Sequence, residues 1–334
     1  MIKVNIIGSN HSEGRGVGFY ISGLVSALRN IGDVNLTQEN PDIIHYPYFD
    51  LFYPTLPIIK SRPVVVTIHD VTPLVMADRY PKGLKGNLGL FHQRISLTNV
   101  AAVITDSECS KKDIVKYLNI ETKKIFVTPL AVDEIFNQNF SRNHLAKIKE
   151  KYNLPDKFVL TVSGGPNPNK NLPTLAKVTM DLNIPLIIVG KGMLQEINEP
   201  VHEELKDLVE LRKYEHIIFP GFVPTEDLAG FYKLASVYCQ PSLYEGFGLP
   251  LLEAMQSGCL IVSSDTSSLP EIYHQGALTF DPKNIAQMKH VLEISLSISP
   301  EEKDKQVKKA KEKAKEFTWK KTAKKTLDIY KKII

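Results

Sequence analysis

The chain has 334 residues, of which 43% are hydrophobic, 23% charged and 8% aromatic. This ordinary composition excludes wholesale disorder, a collagen-like repeat and a disulfide scaffold, and the length predicts two domains at roughly 150 residues each. The three cysteines, Cys109, Cys239 and Cys259, form no CxxC pair. We therefore expect buried, reduced thiols and exclude a zinc ribbon or a thioredoxin-like site.

The net charge of +4 is unevenly distributed, because residues 301–334 hold 13 Lys against 6 acidic residues. A basic nucleic-acid-binding protein would spread its charge over a folded face with aromatics between, so the pattern argues against nucleic acid as a partner. No apolar run reaches the ~18 residues needed to span a bilayer, and residues 1–10 predict a strand and a glycine turn instead of a signal peptide. We expect a cytoplasmic protein, whose Lys-rich tail is compatible with peripheral association at the inner membrane face.

The first half of the chain predicts alternating strands and helices. Short apolar runs rich in β-branched residues are typical of buried parallel strands, and they occupy residues 2–10, 42–47, 62–70, 101–107 and 124–130. Hydrophobic periodicity predicts helices over residues 14–32, 84–98 and 110–118. Asp106 or Ser107 is expected to cap the last of these helices.

The same alternation restarts at residue 156, after a charged segment, 141–156, that we interpret as a linker. The predicted strands are 156–165, 185–192, 216–222, 236–242 and 259–264. The predicted helices start at Asn171 or lie near residues 201–213, 225–234 and 250–257. Two such runs predict two α/β, Rossmann-like domains with parallel sheets. From Pro300 onward the chain predicts helix, with apolar side chains at helical spacing and lysines on the solvated side.

Glycines lie at three turns between strand and helix, where backbone N–H groups can approach an anion. They are Gly14, Gly16 and Gly18; Gly164 and Gly165; and Gly190 and Gly192. Lys170 follows the second turn at a predicted helix N-terminus, where a positive charge opposes the helix dipole, and a bound diphosphate would explain its presence. A Walker A pattern is absent from the sequence, which argues against a P-loop nucleotidase.

The segment 241–255, PSLYEGFGLPLLEAM, combines several signals. A buried strand ends at Ser242, a Gly-x-Gly turn follows, and Pro250 stands where the first turn of a helix tolerates proline. Glu245 and Glu253 are expected to face one crevice beyond the carboxyl ends of the strands, where open α/β sheets bind ligands. Carboxylates accept hydrogen bonds from hydroxyls, which suits a ribose or a sugar.

The E-x7-E element from Glu245 to Glu253 resembles that of glycosyltransferase family 4, a group of retaining, nucleotide-sugar-dependent enzymes with the GT-B fold. The resemblance covers essentially the whole chain. Its other segments are residues 66–74, 104–114, 127–136, 217–242 and 257–272.

The resemblance implies an architecture of two Rossmann-like lobes that face a central cleft. The acceptor-side domain is expected over residues 1–150 and the donor-binding domain over 151–316. A C-terminal helix over 317–334 is expected to cross back onto the first lobe, supported by the apolar stripe around Phe317 and Trp319.

The resemblance also implies residue roles. Glu245 contacts the donor sugar, Glu253 holds the nucleotide ribose, and Lys170 neutralises the leaving diphosphate. His69 contacts the sugar near the anomeric centre, and Gly16 presents its amide to the diphosphate. The remaining donor-binding residues are Gly164, Gly246, Phe247, Gly248 and Leu249, with Gly221, Phe222 and Val223 near the nucleotide base. Many members carry an arginine shortly before the lysine, whereas Gly165 and Asn169 stand at the candidate positions here.

The implied reaction retains the anomeric configuration. The acceptor hydroxyl attacks the face that the diphosphate leaves, the diphosphate acts as base, and no metal or other cofactor takes part. Residues 69–74 and 104–114 resemble the branch of bacterial mannosyltransferases of polysaccharide assembly. We therefore expect GDP-mannose as donor and a glycan or lipid-linked saccharide as acceptor, with UDP-hexoses or UDP-N-acetylhexosamines as alternative donors.

Three other classes of protein predict different features in the sequence. A dinucleotide-dependent oxidoreductase would need GxGxxG directly after the first strand, where Gly8 is the one glycine. A nucleic-acid-binding protein would use the basic tail, with steeply salt-dependent affinity. A non-catalytic glycosyltransferase-like subunit fits the missing arginine, whereas the presence of Glu245, Glu253, His69 and Lys170 argues against it.

Overall fold

A computed structural model describes residues 1–8, 16–165, 167–190 and 213–334. These ranges divide into two compact units: the first unit is Met1–Ala131 with Phe317–Ile334, and the second unit is Val132–Glu316. Within these ranges each unit holds a six-stranded parallel sheet. No helix of the described part is long and apolar enough to cross a membrane.

The first unit has the strand order β2-β1-β3-β4-β5-β6. Its strands are β1 (Ile2–Ile6), β2 (Val34–Leu36), β3 (Ile43–Tyr46), β4 (Val64–Thr67), β5 (Ala102–Thr105) and β6 (Ile125–Val127). Its helices are Val17–Ile31, Thr72–Val75, Gly83–Leu97, Glu108–Leu118 and Trp319–Ile333, with a 3-10 turn at Thr122–Lys124. The strands β4 and β5 are buried throughout, as their runs of β-branched residues predict. Ser107 caps the helix Glu108–Leu118, since its hydroxyl accepts a hydrogen bond from the Ser110 amide.

The second unit has the strand order β12-β11-β10-β7-β8-β9. Its strands are β7 (Val159–Val162), β8 (Leu186–Val189), β9 (Ile217–Gly221), β10 (Val237–Gln240), β11 (Ile261–Ser264) and β12 (Leu278–Phe280). Its helices are Arg142–Lys151, Leu172–Asp181, Thr225–Leu234, Leu249–Ser257, Leu269–Tyr273, Ile285–Ser297 and Pro300–Ala314, with 3-10 turns at Glu134–Asn137 and Pro168–Lys170. Residues 201–212 of the predicted helix 201–213 and the glycines Gly14 and Gly192 lie outside the described residues.

The prediction of a linker over residues 141–156 is wrong, because most of this segment is the helix Arg142–Lys151, capped by the Ser141 hydroxyl. This helix belongs to the second unit. Ile148 packs so closely over Gly230 that a Cβ on the glycine would lie 2.3 Å from Ile148 Cδ1. The boundary between the units accordingly lies at Ala131, and not after residue 150 as predicted.

The C-terminal helix Trp319–Ile333 packs on the first unit, which confirms that the chain crosses back. Trp319 covers Gly23 of the helix Val17–Ile31, where a Cβ would lie 2.3 Å from the indole, and its ring lies 5.5 Å from that of Phe19. Leu327 and Tyr330 are buried, so the apolar stripe of this helix faces the protein and the lysines face solvent.

Candidate functional site

The carboxyl ends of the parallel strands in the second unit lie at one edge of the sheet, where ligands bind in open α/β folds. Gly164 follows β7, Phe222 follows β9, and Glu245 follows β10, while these strands lie within the run β10-β7-β8-β9. Lys170 lies in the turn Pro168–Lys170 that connects β7 to its helix. The fold thus brings most of the predicted donor residues to this edge.

The central contact is an ion pair between Lys170 and Glu245. The Lys170 ammonium donates to both carboxylate oxygens at 2.8 Å, and the side chains are 19% and 9% exposed. Two neutral groups also donate to Glu245 Oε1: the Gln240 amide at 2.8 Å and the Ser242 hydroxyl at 2.6 Å. A buried carboxylate is stable only when it is paired and hydrogen-bonded, and all three donors meet that need.

Two asparagines beside Lys170 hold the lysine turn against the glutamate turn. The Asn169 amide donates to the Tyr244 carbonyl at 2.9 Å, and the Leu243 N–H donates to the Asn169 carbonyl at 2.7 Å. The Asn171 amide donates to the Pro241 carbonyl at 3.2 Å, while its backbone is left-handed with φ 53°. Neither role was predicted, although two asparagines beside a lysine are a visible signal for a turn.

The turn after Glu245 depends on glycine and serine. Gly248 has φ 116°, and a Cβ there would lie 2.8 Å from Leu269 Cδ2, so no other residue fits without strain. The Glu245 N–H donates to the Ser267 hydroxyl at 2.9 Å, and the Ser268 hydroxyl donates to the carbonyls of Glu245 and Phe247. This turn leads into the helix Leu249–Ser257, with Pro250 in its first turn as predicted.

Glu253 lies on that helix and accepts a hydrogen bond from the Tyr232 hydroxyl at 2.8 Å. Burial raises the pKa of Tyr238 well above its usual value, and the charges of Glu245 and Glu253 raise it further. The charges of both carboxylates thus raise the pKa of the same buried phenol.

The predicted base-binding residues differ in exposure. The Phe222 side chain is 57% exposed, whereas Val223 is completely buried and Gly221 is the last residue of β9. Phe222 therefore offers a surface on which a ring could stack. Gly164 is exposed, and no described atom lies within 4 Å of the position of a Cβ there.

In the first unit, His69 and Asp106 follow the adjacent strands β4 and β5. His69 Nδ1 lies 2.8 Å from Asp106 Oδ2, and the two side chains are 20% and 3% exposed. Burial lowers the pKa of His69, but the charge and hydrogen bond of Asp106 outweigh it, so the pKa is raised from its usual value. His69 was predicted as a site residue, whereas Asp106 was not predicted as its partner.

A chain of buried polar groups extends from His69 to the C-terminal helix. The Tyr20 ring stands edge-on to His69 at 4.9 Å, and its hydroxyl lies 3.0 Å from Thr67 Oγ1. His45 lies between Thr67 and Tyr330. Its Nε2 is 2.8 Å from Thr67 Oγ1, and its Nδ1 is 2.6 Å from the Tyr330 hydroxyl. Burial, and then the charge of His69, lowers the pKa of His45 to about 3, so His45 is neutral at ordinary pH.

Gly16 precedes the helix Val17–Ile31 with φ 76° and ψ −124°, a conformation that glycine alone adopts readily. Its amide therefore stands at the N-terminus of a 15-residue helix, as an anion-binding role requires. Among the described residues, no group of three or more His, Cys, Asp or Glu could hold a metal ion.

Comparison with known proteins identifies similar glycosyltransferases. The family model for glycosyl transferases group 1 matches residues 145–315, and the model for glycosyltransferase family 4 matches residues 11–135. A serotype-specific mannosyltransferase, WbdA, from Escherichia coli is 26% identical over 295 residues, covering 82% of this chain and 35% of that protein. O-antigen chain mannosyltransferase B from Escherichia coli is 29% identical over 301 residues, covering 86% of this chain and 74% of that protein.

Among solved structures, a sucrose-phosphate synthase from Thermosynechococcus elongatus matches with a TM-score of 0.77 at 16% identity, covering 99% of this chain and 98% of that chain. This match shows the fold and confirms the GT-B expectation. The chain spans about a third of the length of the WbdA proteins that it matches.

Proposed function

The chain belongs to the glycosyl transferases group 1, and we propose that it moves mannose from GDP-mannose to a glycan or lipid-linked saccharide with retention of configuration. The observation that carries this proposal is the Lys170–Glu245 pair at the carboxyl edge of the second sheet. The choice of mannose is supported by the names of the relatives, two of which are mannosyltransferases of 26% and 29% identity.

The cluster around Glu245 suits a donor that carries both a diphosphate and a sugar. Lys170 supplies the positive charge for the diphosphate, while Glu245 accepts hydrogen bonds from sugar hydroxyls. If the ammonium shifts toward the diphosphate, Gln240 and Ser242 still donate to Glu245. The carboxylate therefore stays hydrogen-bonded when the donor is bound.

The reaction breaks the bond between the anomeric carbon and the diphosphate oxygen. Lys170 and the Gly16 amide stabilise the charge that develops on the leaving diphosphate. The acceptor hydroxyl then bonds to the same face of the anomeric carbon and gives its proton to a diphosphate oxygen. His69 binds the sugar near this carbon. The protein supplies charge and position, and we propose that it needs no metal.

The test is turnover with defined donors. Purified protein is incubated with GDP-mannose, UDP-glucose or UDP-N-acetylglucosamine and a bacterial glycolipid extract, and release of nucleoside diphosphate is measured. We expect acceptor-dependent release from GDP-mannose and a product with the donor's anomeric configuration by NMR. Release of UDP from a UDP-sugar, with no release of GDP from GDP-mannose, would overturn the choice of GDP-mannose as donor. Nucleotide binding without turnover favours the non-catalytic subunit.

The ribose role of Glu253 has its own test. Glu253→Ala removes two hydrogen-bond acceptors and should weaken binding of free GDP by a factor of about 10–100, since a hydrogen bond to a charged group contributes about 1.5–3 kcal/mol. Glu293→Ala, at an exposed position of the same unit, is the control. Calorimetry that gives equal affinity for both variants would remove Glu253 from the site.

A further inference from the structure

The helix Gly83–Leu97 carries four of its apolar side chains on the solvent side, while Leu90 and Leu97 are buried. Leu84, Leu88, Phe91 and Ile95 are 85%, 70%, 64% and 37% exposed. Their spacings of four, three and four residues place them on one face of the helix. A surface helix of a globular protein ordinarily turns this face inward, so the exposed stripe needs an explanation.

The other face of this helix is fixed to the loop 50–56. A Cβ on Gly89 would lie 2.0 Å from the Phe52 carbonyl oxygen, so the backbones of the helix and the loop are in direct contact. The Gln93 amide donates to the Tyr53 carbonyl at 2.6 Å and to the Thr55 hydroxyl at 2.7 Å. The helix therefore cannot roll to bury its stripe without losing these contacts.

The neighbouring loop extends the exposed apolar area. Tyr53, Ile58 and Ile59 are 73%, 45% and 88% exposed. The Lys60 ammonium donates to the Ser96 carbonyl, which ties the end of this loop to the end of the helix. We call the combined area the apolar surface, and its members are Tyr53, Ile58, Ile59, Leu84, Leu88, Phe91 and Ile95.

The charges on the helix itself are positive, while the one carboxylate of the neighbouring loop 50–56, Asp50, accepts from the Tyr53 N–H at 2.8 Å. No Asp or Glu occurs in the sequence between Asp78 and Asp106, whereas Lys82, Lys85 and Arg94 lie on or beside the helix. Lysines close to an anionic bilayer contribute about 1 kcal/mol each, and apolar side chains add to binding in proportion to their buried area. A protein partner would need an apolar patch and acidic residues that match this surface. An anionic bilayer offers an apolar interior and negatively charged headgroups.

We propose that the apolar surface docks on an anionic lipid bilayer, with its apolar side chains at the boundary between headgroups and acyl chains. This inference rests on the proposed function, because docking on a bilayer would bring the enzyme to a lipid-linked acceptor. It also places membrane contact away from the C-terminal helix, which is part of the Lys-rich tail that the sequence makes compatible with a membrane surface. That helix buries Leu327 and Tyr330 and so leaves no comparable apolar stripe.

Flotation of the full chain with vesicles of phosphatidylcholine, with and without phosphatidylglycerol, tests the proposal. The variant Leu84→Ser, Leu88→Ser, Phe91→Ser removes the centre of the stripe at exposed positions. The control variant, Tyr214→Ser, Ile285→Ser, Ile294→Ser, removes exposed apolar side chains elsewhere. We expect the wild type and the control to float with anionic vesicles and the stripe variant to partition at least tenfold less.

Equal flotation of the stripe variant, or no flotation of the wild type, overturns the proposal. Light scattering tests whether a second copy of the chain covers the apolar surface instead of a bilayer. If the wild type binds no vesicles and is a dimer, and the stripe variant is a monomer, this surface is an interface between copies. GDP-mannose turnover with detergent-solubilised acceptor should be unchanged in the stripe variant. Vesicle binding by a protein without turnover would overturn the proposed function and leave the membrane surface intact.

Discussion

The two units hold buried polar clusters of opposite design. In the second unit, the Glu245 carboxylate is satisfied by a lysine and two neutral donors. In the first unit, the charge of Asp106 is paired with a histidine, whose ordinary titration range lies near neutral pH. We propose that the Glu245 cluster presents its charges to a donor, whereas the His69 cluster is centred on a side chain that titrates. Disruption of the Glu245 cluster should therefore show first in turnover, whereas disruption of the contacts around His69 should also show in stability and in its pH dependence.

The largest effect is expected for Lys170→Ala. Removal of one donor that stabilises transition-state charge costs about 10²–10³ in rate, so turnover of GDP-mannose should fall by that factor. Lys157→Ala removes an exposed lysine from the same unit and should leave turnover unchanged. Steady-state kinetics at saturating donor measure both variants. Wild-type turnover in Lys170→Ala would remove the lysine from the mechanism.

A smaller effect, on stability, is expected for Tyr330→Phe. The loss of the phenol leaves His45 Nδ1 buried without its partner, which should lower the free energy of unfolding by about 1–3 kcal/mol. Tyr53→Phe removes a hydroxyl from an exposed ring and serves as the control in urea denaturation. If both variants are equally stable, the Tyr330–His45 contact does not hold the C-terminal helix to the first unit.

The smallest effect is a change in titration. Asp106→Asn removes the largest of the influences that raise the pKa of His69, so the pKa should fall. Because the raised pKa stabilises the fold below the unfolded value of 6.5 and this gain is lost as the pH rises, the variant should lose more stability at pH 6 than at pH 9. NMR titration of the imidazole and urea denaturation at both pH values measure this. An unchanged pKa of His69 in Asp106→Asn would show that Asp106 does not raise it.

Elements with a strong local pattern could be predicted from the sequence. The strands β4 and β7 are runs of buried, mostly β-branched residues, and the helix Thr225–Leu234 was predicted with its observed bounds. The strand β2 has three residues, too few for a period, and was missed. The helix Arg142–Lys151 was misread as a linker because it buries one residue, Ile148, and its charged remainder resembles a loop.

The candidate site was predictable as separate residues and not as contacts. Glu245 and Lys170 each follow a visible turn, but they are 75 positions apart, and their pairing depends on β7 and β10 being neighbours. Tyr330 and His45 are 285 positions apart and meet because the C-terminal helix returns to the first unit. Strand order and such returns are set by packing over the whole unit, which a local sequence pattern does not contain.

The most direct test of the central claim is calorimetric titration of the purified wild-type protein with GDP and with UDP, in the absence of metal. The account predicts tighter binding of GDP, with an affinity that Lys157→Ala retains and Glu253→Ala loses. Tighter binding of UDP would keep the family and contradict the mannosyl donor. Binding of neither nucleotide would contradict the assignment of the Glu245 cluster as a donor site.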